Sequence, residues 1–496
     1  MTVTSELRRW TPDPPGDNQP TLVRWPRWRL LLDDPTPERV VVVGTVDPGV
    51  ERWLDAVGAR TRWIGEPHGL TGPADLVVLG PDVALDARAL VWLARTCGEH
   101  GAAWLPGPLS RRQAHALAAA GFGPGLALDP GARRRAPTGV VVTRQRPPQT
   151  GRPSRLRPGP PAAPRQGTSS PPPGWLADVG AGVGWDPRGP WSLALPGAYP
   201  SQKAVGLLRP ATAGGPGAVV KLAQDPRFDD RVRNEAVALR ALAAADPRFA
   251  ADRVPAVLGE VVVGGAAAVV EEGLWGRPFL AASTLRPDCP LAADAAAAAT
   301  ALAAVRPVAV PGARLAAQLD AVVDRFVAAH HPSTGVAVQL AEQVAVIAAR
   351  PTVPAVVVHG DLGTWNLLVV DGRVRILDWE SAAAAGPPLW DLAHLARSWA
   401  VRAGRRRGLT RDRAITRHLV DGSPLTDVLA AWFATYRARV GIDPVLGEAL
   451  FHTGWAHRAV KEAARLGPGA PGHYGPLCAR LLAARHAPGL RRLLGT

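Results

Sequence analysis

Three side chains that carry oxygen atoms stand close together between Val356 and Glu380. Asp361 lies five residues before Asn366, and Asp378 follows two short apolar runs separated by Asp371-Gly372. Such a dipeptide between apolar runs predicts a β-hairpin, whose ends lie about one strand spacing apart. Because Asn366 and Asp378 flank this hairpin, we expect the three side chains to converge on one small volume.

This set of side chains is typical of phosphoryl transfer. A carboxylate accepts the proton of the attacking hydroxyl, and a second carboxylate and an amide oxygen hold Mg²⁺ on the triphosphate. The pattern therefore predicts Asp361 as the base and Asn366 and Asp378 as metal ligands. The alternative is a surface hairpin whose polar residues only form turns. The chain has only three asparagines, however, and one stands where the pattern needs an amide.

The motif His359-Gly360-Asp361, with Asn366 and the segment Ile376–Glu380, resembles the aminoglycoside phosphotransferase and choline kinase-like family. The resemblance covers about residues 175–496 and implies a bilobal α+β protein-kinase-like fold. It implies ATP and Mg²⁺ as cofactors, and a nucleotide and a small-molecule hydroxyl acceptor as partners. It also implies supporting roles for His359, which would anchor the loop, and for Asp391, which would brace it.

Lys221 and Glu235 are the predicted nucleotide-side pair. Lys221 ends a strand at the position where kinases place the lysine that binds the α- and β-phosphates. Only three of the 57 basic residues are lysines, which favours a specific role. Glu235 falls on the buried stripe of the next predicted helix, 230–244. A buried carboxylate needs a partner, and Lys221 is the obvious one.

Two further segments are assigned to nucleotide binding. Glu271 and Glu272 open the predicted hinge between the lobes, whose backbone would bind adenine. The loop 196–202 would cover the phosphates. It lacks the Gly-x-Gly-x-x-Gly pattern, but Ser201 could donate a hydrogen bond to a phosphate.

The elements that position these residues follow from the hydrophobic pattern. Three antiparallel strands and a helix, then one more strand, form the predicted N-lobe at about residues 175–272. The C-lobe at about 273–496 is mostly helical, apart from the catalytic hairpin. Its predicted last helices cover 446–466 and 474–487.

The first part of the chain, residues 21–145, alternates short strands and helices, which predicts an α/β, mostly parallel, Rossmann-like sheet. The outline resembles a methyltransferase domain. The turn after the first strand, 44–49, lacks Gly-x-Gly, and Pro48 removes one amide. We therefore interpret this domain as degenerate in cofactor binding, with docking or assembly as its role.

Composition and charge limit the remaining alternatives. Residues 1–20 are polar and predicted to be mobile, and 146–174 is a Pro/Arg-rich linker with ten prolines from Pro147 to Pro173. Three scattered cysteines, no signal peptide and no apolar span favour a cytoplasmic protein. The net charge of +15 does not by itself predict nucleic acid binding, because no aromatic-basic motif accompanies it.

The acceptor class is predicted from the charges of the last lobe. From Asp391 onward the chain has seven acidic residues and seventeen Lys and Arg residues. A polycationic aminoglycoside needs a pocket lined with carboxylates, so a neutral or anionic acceptor is predicted: a sugar, sugar phosphate or nucleoside. A pseudokinase or scaffold, and a methyltransferase that uses the first domain, are the alternatives.

Overall fold

The computed structural model describes residues 25–67, 72–120, 122, 126–128, 139–143, 171–195, 203–212, 214–466 and 472–496. These fall into two compact units. The sheet unit comprises Thr21–Val232 and Leu258–Gly273. The helical unit comprises Arg233–Val257 and Leu274–Thr496, and Met1–Pro20, grouped with it, lies outside the described residues.

The first sheet of the sheet unit has six strands in the order β2-β1-β3-β4-β6-β5. The strands β1 to β4 are parallel to one another, β6 is antiparallel to β4, and β5 is antiparallel to β6. Their ranges are β1 (Arg39–Val43), β2 (Arg60–Ile64), β3 (Ala74–Leu79), β4 (Cys97–Pro106), β5 (Leu126–Leu128) and β6 (Gly139–Thr143). The helices between them are α1 (Pro48–Ala56), α2 (Ala87–Thr96) and α3 (Arg111–Ala119).

Alternating residues of this sheet enter two separate cores. Val40 and Val42 pack with Trp53 of α1 on one face, while Val41 and Val43 pack on the other face with α2 and α3. A parallel sheet covered by helices on both faces agrees with the predicted strand pattern. That this sheet forms a separate Rossmann-like domain stays a prediction.

The second sheet is antiparallel and has five strands in the order β10-β11-β9-β8-β7. Its strands are β7 (Trp191–Ala194), β8 (Lys203–Leu208), β9 (Ala218–Ala223), β10 (Val257–Val263) and β11 (Ala266–Glu272). Three helices belong to the same part of the chain: α4 (Gly174–Gly182), α5 (Asp229–Ala245) and α6 (Pro247–Arg253). This sheet and the helical elements that follow confirm a kinase-like α/β fold.

One short segment, Trp25–Leu32, is shared by the cores of both sheets. Trp28 and Leu31 pack in the core of the first sheet, and Trp28 stacks on Trp104 with ring centroids 4.9 Å apart. Leu30 is fully buried in the core of the second sheet, and its carbonyl accepts a 3.1 Å hydrogen bond from the indole of Trp175. Residues on both sides of the predicted linker therefore share one hydrophobic core.

The helical unit contains two small sheets, β12-β15-β16 and β13-β14-β17. Their strands are β12 (Arg277–Pro278), β13 (Val308–Val310), β14 (Val353–Val358), β15 (Leu367–Val370), β16 (Arg373–Ile376) and β17 (Ala383–Gly386). Its longer helices are α8 (Pro290–Ala303), α9 (Gly312–His330), α10 (Thr334–Ala348), α11 (Trp390–Arg406), α13 (Pro424–Val440), α14 (Pro444–Leu466) and α15 (Tyr474–Ala483), and the short ones are α7 (Phe279–Ala282), α12 (Arg411–Ile415) and α16 (Pro488–Leu494).

Several boundaries differ from the sequence predictions. The amphipathic pattern of the sequence predicts a helix over 86–99, but this helix ends at Thr96, because Cys97 already begins β4. The apolar run 266–270 predicts the last strand of the N-lobe, and this strand continues to Glu272, where its backbone still pairs with β9. The last predicted helix, 474–487, ends at Ala483, and α16, which Pro488 begins, was not predicted. Among the helices in the described ranges, none has both the length and the apolar character of a membrane span.

A protease site inserted between residues 155 and 165 tests the shared core. After cleavage, the two fragments should still co-elute in size-exclusion chromatography, because Leu30 must otherwise leave an apolar core at a cost of about 2 kcal/mol. Leu30→Asp should separate them, whereas Val91→Asp, at a position that is 53% exposed, should not. Wild-type fragments that separate on cleavage would contradict the shared core.

Candidate active site

The catalytic loop follows directly from the end of β14. Gly360 has φ +76°, and a Cβ added there would lie 2.1 Å from the carbonyl oxygen of Ser381. Only glycine suits both this left-handed conformation and this close approach. The loop therefore turns sharply after the strand, and the turn presents Asp361.

One buried carboxylate holds the backbone of this loop. Asp391, in the first turn of α11, accepts hydrogen bonds from the amides of His359 at 2.6 Å and Gly360 at 3.1 Å. These are the contacts that the predicted bracing role requires. A buried carboxylate with two amide donors is stable without a counter-ion, because hydrogen bonds to a charged group are strong.

His359 is fully buried and joins the loop to the hairpin. Its Nε2 donates to the carbonyl of Leu377 at 2.9 Å, and its Nδ1 accepts from the amide of Asp361 at 3.2 Å. Since a carbonyl can only accept and an amide can only donate, these two bonds require the neutral Nε2–H tautomer. The ring also packs edge-on against Trp379. The contacts fit the anchoring role predicted for His359.

The hairpin brings the predicted metal ligands to its open end. Leu367 pairs with Ile376, and the amide of Leu377 donates to the carbonyl of Asn366 at 2.9 Å. Asp378 follows at once, with φ +69°. Asn366 and Asp378 therefore stand at the two ends of one hairpin.

Asn366 is oriented by the residue predicted to be the base. Its side-chain nitrogen donates to the main-chain oxygen of Asp361 at 2.9 Å and to Oδ2 of the same residue at 3.3 Å. Because the nitrogen is used in this way, the amide oxygen is the atom that remains to face a cation. The side chain of Asn366 is thus oriented so that its amide oxygen can bind a cation.

The oxygens of Asn366 and Asp378 fit Mg²⁺ in type. This ion prefers oxygen ligands and binds proteins through one or two carboxylates together with substrate phosphates. No group of three or more His, Cys, Asp or Glu residues that could hold a metal occurs within the described part of the chain. Two protein oxygens are compatible with Mg²⁺ carried by a nucleotide, because this ion keeps phosphate and water ligands as well.

Both carboxylate oxygens of Asp361 have partners. Oδ1 accepts from Nη1 of Arg458 at 2.5 Å and lies 3.6 Å from Nε2 of His394. Oδ2 accepts from the indole of Trp365 and from Asn366, each at 3.3 Å. Neither Arg458 nor His394 was predicted from the sequence, because they lie on α14 and α11, far along the chain from the loop.

The charges around Asp361 keep it ionised. Burial alone would raise the pKa of this carboxyl, but the positive charges of Arg458 and Lys461 outweigh it and hold the pKa well below its usual range. Burial, with the charge of Arg458, lowers the pKa of His394 well below its ordinary value, so this ring is neutral. Lys461 also donates to the hydroxyl of Ser381 at 3.1 Å.

Helix α5 holds the segment that follows Asp378. Glu235, which is fully buried, accepts from the amide of Trp379 at 2.9 Å. Asn234 donates to the carbonyls of Glu380 at 3.0 Å and Ala382 at 2.9 Å. Asn234 was not predicted to have a role, although it is one of only three asparagines.

The remaining predicted residues lie in or near the second sheet. Nζ of Lys221 forms an ion pair with Glu271 Oε2 at 2.7 Å, and both residues are buried. Glu271 is thus a side-chain partner of the lysine and not only part of the predicted hinge, and Glu272 ends β11. The predicted pair of Lys221 with Glu235 stays a prediction. Ser201 and the loop 196–202 lie outside the described residues.

The comparison with protein families gives one match. The profile of the phosphotransferase enzyme family matches residues 209–459. This range includes the catalytic loop, the hairpin and both predicted nucleotide-side residues, Lys221 and Glu235. No curated protein matches the chain.

Solved structures similar to this chain include three phosphotransferases. A glucosamine kinase bound to glucosamine, ADP and phosphate is 22% identical over 54% of this chain and 75% of its own, with a TM-score of 0.38. A macrolide 2′-phosphotransferase from Brachybacterium faecium is 20% identical over 60% and 98%, with a TM-score of 0.35. An aminoglycoside phosphotransferase from Streptomyces rimosus, bound to ADP and streptomycin, is 18% identical over 58% and 97%, with a TM-score of 0.36.

Replacing Asp391 by alanine should destabilise the helical unit. Two backbone amides lose their acceptor, and an unsatisfied buried donor costs about 1–3 kcal/mol. We expect the free energy of unfolding, measured by urea denaturation, to fall by about 2 kcal/mol or more. The control Asp427→Ala removes only an exposed ion pair with Arg492 and should change it by less than about 0.5 kcal/mol. Equal effects of the two variants would contradict the bracing role.

Proposed function

The chain belongs to the phosphotransferase enzyme family and is a small-molecule kinase that acts on hydroxyl groups; from this we propose that it transfers the γ-phosphoryl group of ATP, with Mg²⁺, to a neutral or anionic small molecule. The observation that carries the proposal is the arrangement of Asp361 and Asn366 beside Asp378 at one end of the hairpin. The separate bracing of that loop by Asp391 supports it.

In the proposed reaction the acceptor hydroxyl approaches Asp361. Its oxygen attacks the γ-phosphorus, the bond from that phosphorus to the bridging oxygen breaks, and ADP leaves. The hydroxyl proton passes to the Asp361 carboxylate as the new P–O bond forms. The transition state of such reactions is loose, so Asp361 acts mainly by orienting the hydroxyl. The low pKa of Asp361 is compatible with this, because it ensures the charged form at neutral pH.

On the nucleotide side, Asn366 and Asp378 would hold Mg²⁺, which when bound would offset negative charge on the phosphates. Lys221 would add its ammonium charge to them, kept in place by Glu271. Trp365 is 47% exposed beside the base. We propose that it forms an apolar wall for the acceptor, instead of only packing the loop.

The two alternative functions have less support. A pseudokinase would not need an intact base, two metal ligands and the lysine together. For the methyltransferase, the turn after β1 is already occupied, since the carboxylate of Asp82 accepts from the amide of Thr45 at 3.0 and 3.1 Å. Titration of the protein with ATP and with S-adenosylmethionine, measured by calorimetry, distinguishes these functions. We expect binding of Mg·ATP and none of S-adenosylmethionine.

Two substitutions separate the proposed roles of the aspartates. Asp361→Asn should lower turnover by at least about 100-fold, because a positioned general base contributes 10²–10⁴-fold. It should bind Mg·ATP nearly as well as the wild type. Asp378→Ala should lose Mg·ATP binding itself. Calorimetry measures the binding and coupled ADP release measures the turnover. Near wild-type turnover of Asp361→Asn would show that the base is assigned wrongly.

An acceptor screen tests the substrate class. ADP release should be stimulated by sugars, sugar phosphates or nucleosides and not by polycationic aminoglycosides such as kanamycin, because Arg458 and Lys461 lie beside the base. Stimulation by aminoglycosides alone would contradict the proposed class.

A further inference from the structure

Four basic residues of two helices line the surroundings of Asp361. Arg458 and Lys461 are three residues apart on α14, and His394 and Arg397 are three residues apart on α11. Residues with this spacing lie on the same side of a helix. Arg458 and His394 both approach the same oxygen of Asp361, so the two helices direct their basic sides towards the base.

Arg397 is buried, and it forms no ion pair with a carboxylate of the residues that the structure describes. It is only 6% exposed, and its Nε has no hydrogen-bond partner within the described ranges. Its guanidinium lies over the ring of Tyr474, with its central carbon 5.2 Å from the ring centroid, and contacts Nε2 of His473. A buried guanidinium is costly unless its donors are used, and here one donor remains for a ligand.

The carboxylate of Glu462 does not form an ion pair with this group. Its Oε2 accepts from the amides of His473 at 2.5 Å and Tyr474 at 2.6 Å, at the start of α15. This oxygen therefore holds the segment that carries the partners of Arg397.

Arg458 engages the base in place of an acceptor. Its side chain is 11% exposed, whereas Asp361 is 38% exposed. The hydroxyl to be phosphorylated must come within about 2.6–3.2 Å of a carboxylate oxygen. Oδ1 accepts a hydrogen bond from Arg458, and Oδ2 accepts from Trp365 and Asn366. One of these hydrogen bonds must therefore break before the hydroxyl can bind.

We propose that the acceptor carries a phosphate group as well as the reacting hydroxyl, and that Arg397, Arg458 and Lys461 bind this phosphate. Binding transfers the guanidinium of Arg458 from Asp361 to the phosphate and so frees the base. Without such an acceptor, Arg458 stays on Asp361 and suppresses transfer to water. A cluster of three cations suits a phosphate dianion better than a neutral group, and Arg residues bind phosphate with paired donors. This inference rests on the proposed function and specifies its acceptor.

The first test compares sugars with their own monophosphates as acceptors, by coupled ADP release. The monophosphates should have values of kcat/KM at least about 100-fold higher, since hydrogen bonds between charged groups are worth tenfold or more each. Arg397→Met should remove at least about tenfold of that preference. Equal use of both members of each pair would overturn the proposal.

The second test measures ATP hydrolysis without any acceptor. Arg458→Met should raise it about tenfold or more, because the base becomes free to activate water. Arg458→Lys, which keeps a charge near the base, should raise it less. The double variant with Asp361→Asn should abolish the increase. Arg492→Met, which changes an exposed arginine paired with Asp427, should behave as the wild type. A lower hydrolysis rate in a folded Arg458→Met protein would overturn the release of the base.

The third test does not depend on catalysis. Inorganic phosphate is titrated into the nucleotide-free protein by calorimetry, and Arg397→Met should weaken its binding at least about tenfold. If no acceptor stimulates ADP release but this binding is lost in Arg397→Met, the proposed function fails while the anion site stands. Phosphate binding that is unchanged in Arg397→Met overturns the anion site itself.

Discussion

The hydrogen bonds from two loop amides to the carboxylate of Asp391 are the contact on which the site depends. They connect the start of α11 to the turn that presents Asp361, and they require the backbone of Gly360 to be left-handed. Because the acceptor is a buried carboxylate, its loss leaves two buried donors unsatisfied. The contacts of Asp391 on α11 thus fix the position of Asp361 without a bound substrate.

A second clamp fixes the other side of the hairpin. The side chains of Asn234 and Glu235 bind the backbone of Trp379, Glu380 and Ala382 directly after Asp378. A helix that binds main-chain groups holds the path of the segment without depending on its side chains. Asp361, the proposed base, is therefore braced from α11, and the segment after Asp378 is braced from α5.

The sequence was most informative where local rules decide the structure. Asp371 and Gly372 both adopt positive φ, as the predicted two-residue turn requires, and β15 and β16 pair on either side of it. The strand β10 was missed because its residues are half exposed in alternation and Gly259 interrupts its apolar pattern. The contact of Arg458 with Asp361 joins residues 97 positions apart, and no spacing rule predicts such a pair. The rarity of lysine could have drawn attention to Lys461, as it did to Lys221.

The acceptor class was predicted from a count of charges, and the structure separates the exposed basic residues in that count from the buried ones. Some arginines of the last lobe form ion pairs at the surface, namely Arg480 with Asp412 and Arg492 with Asp427. Exposed pairs of this kind contribute little energy and are screened by salt. Arg397 and Arg458 are different, because they are largely removed from water and lie near the base. The electrostatic preference of the site for its acceptor therefore depends on a few buried side chains, and the net charge of the lobe is a poor guide to it.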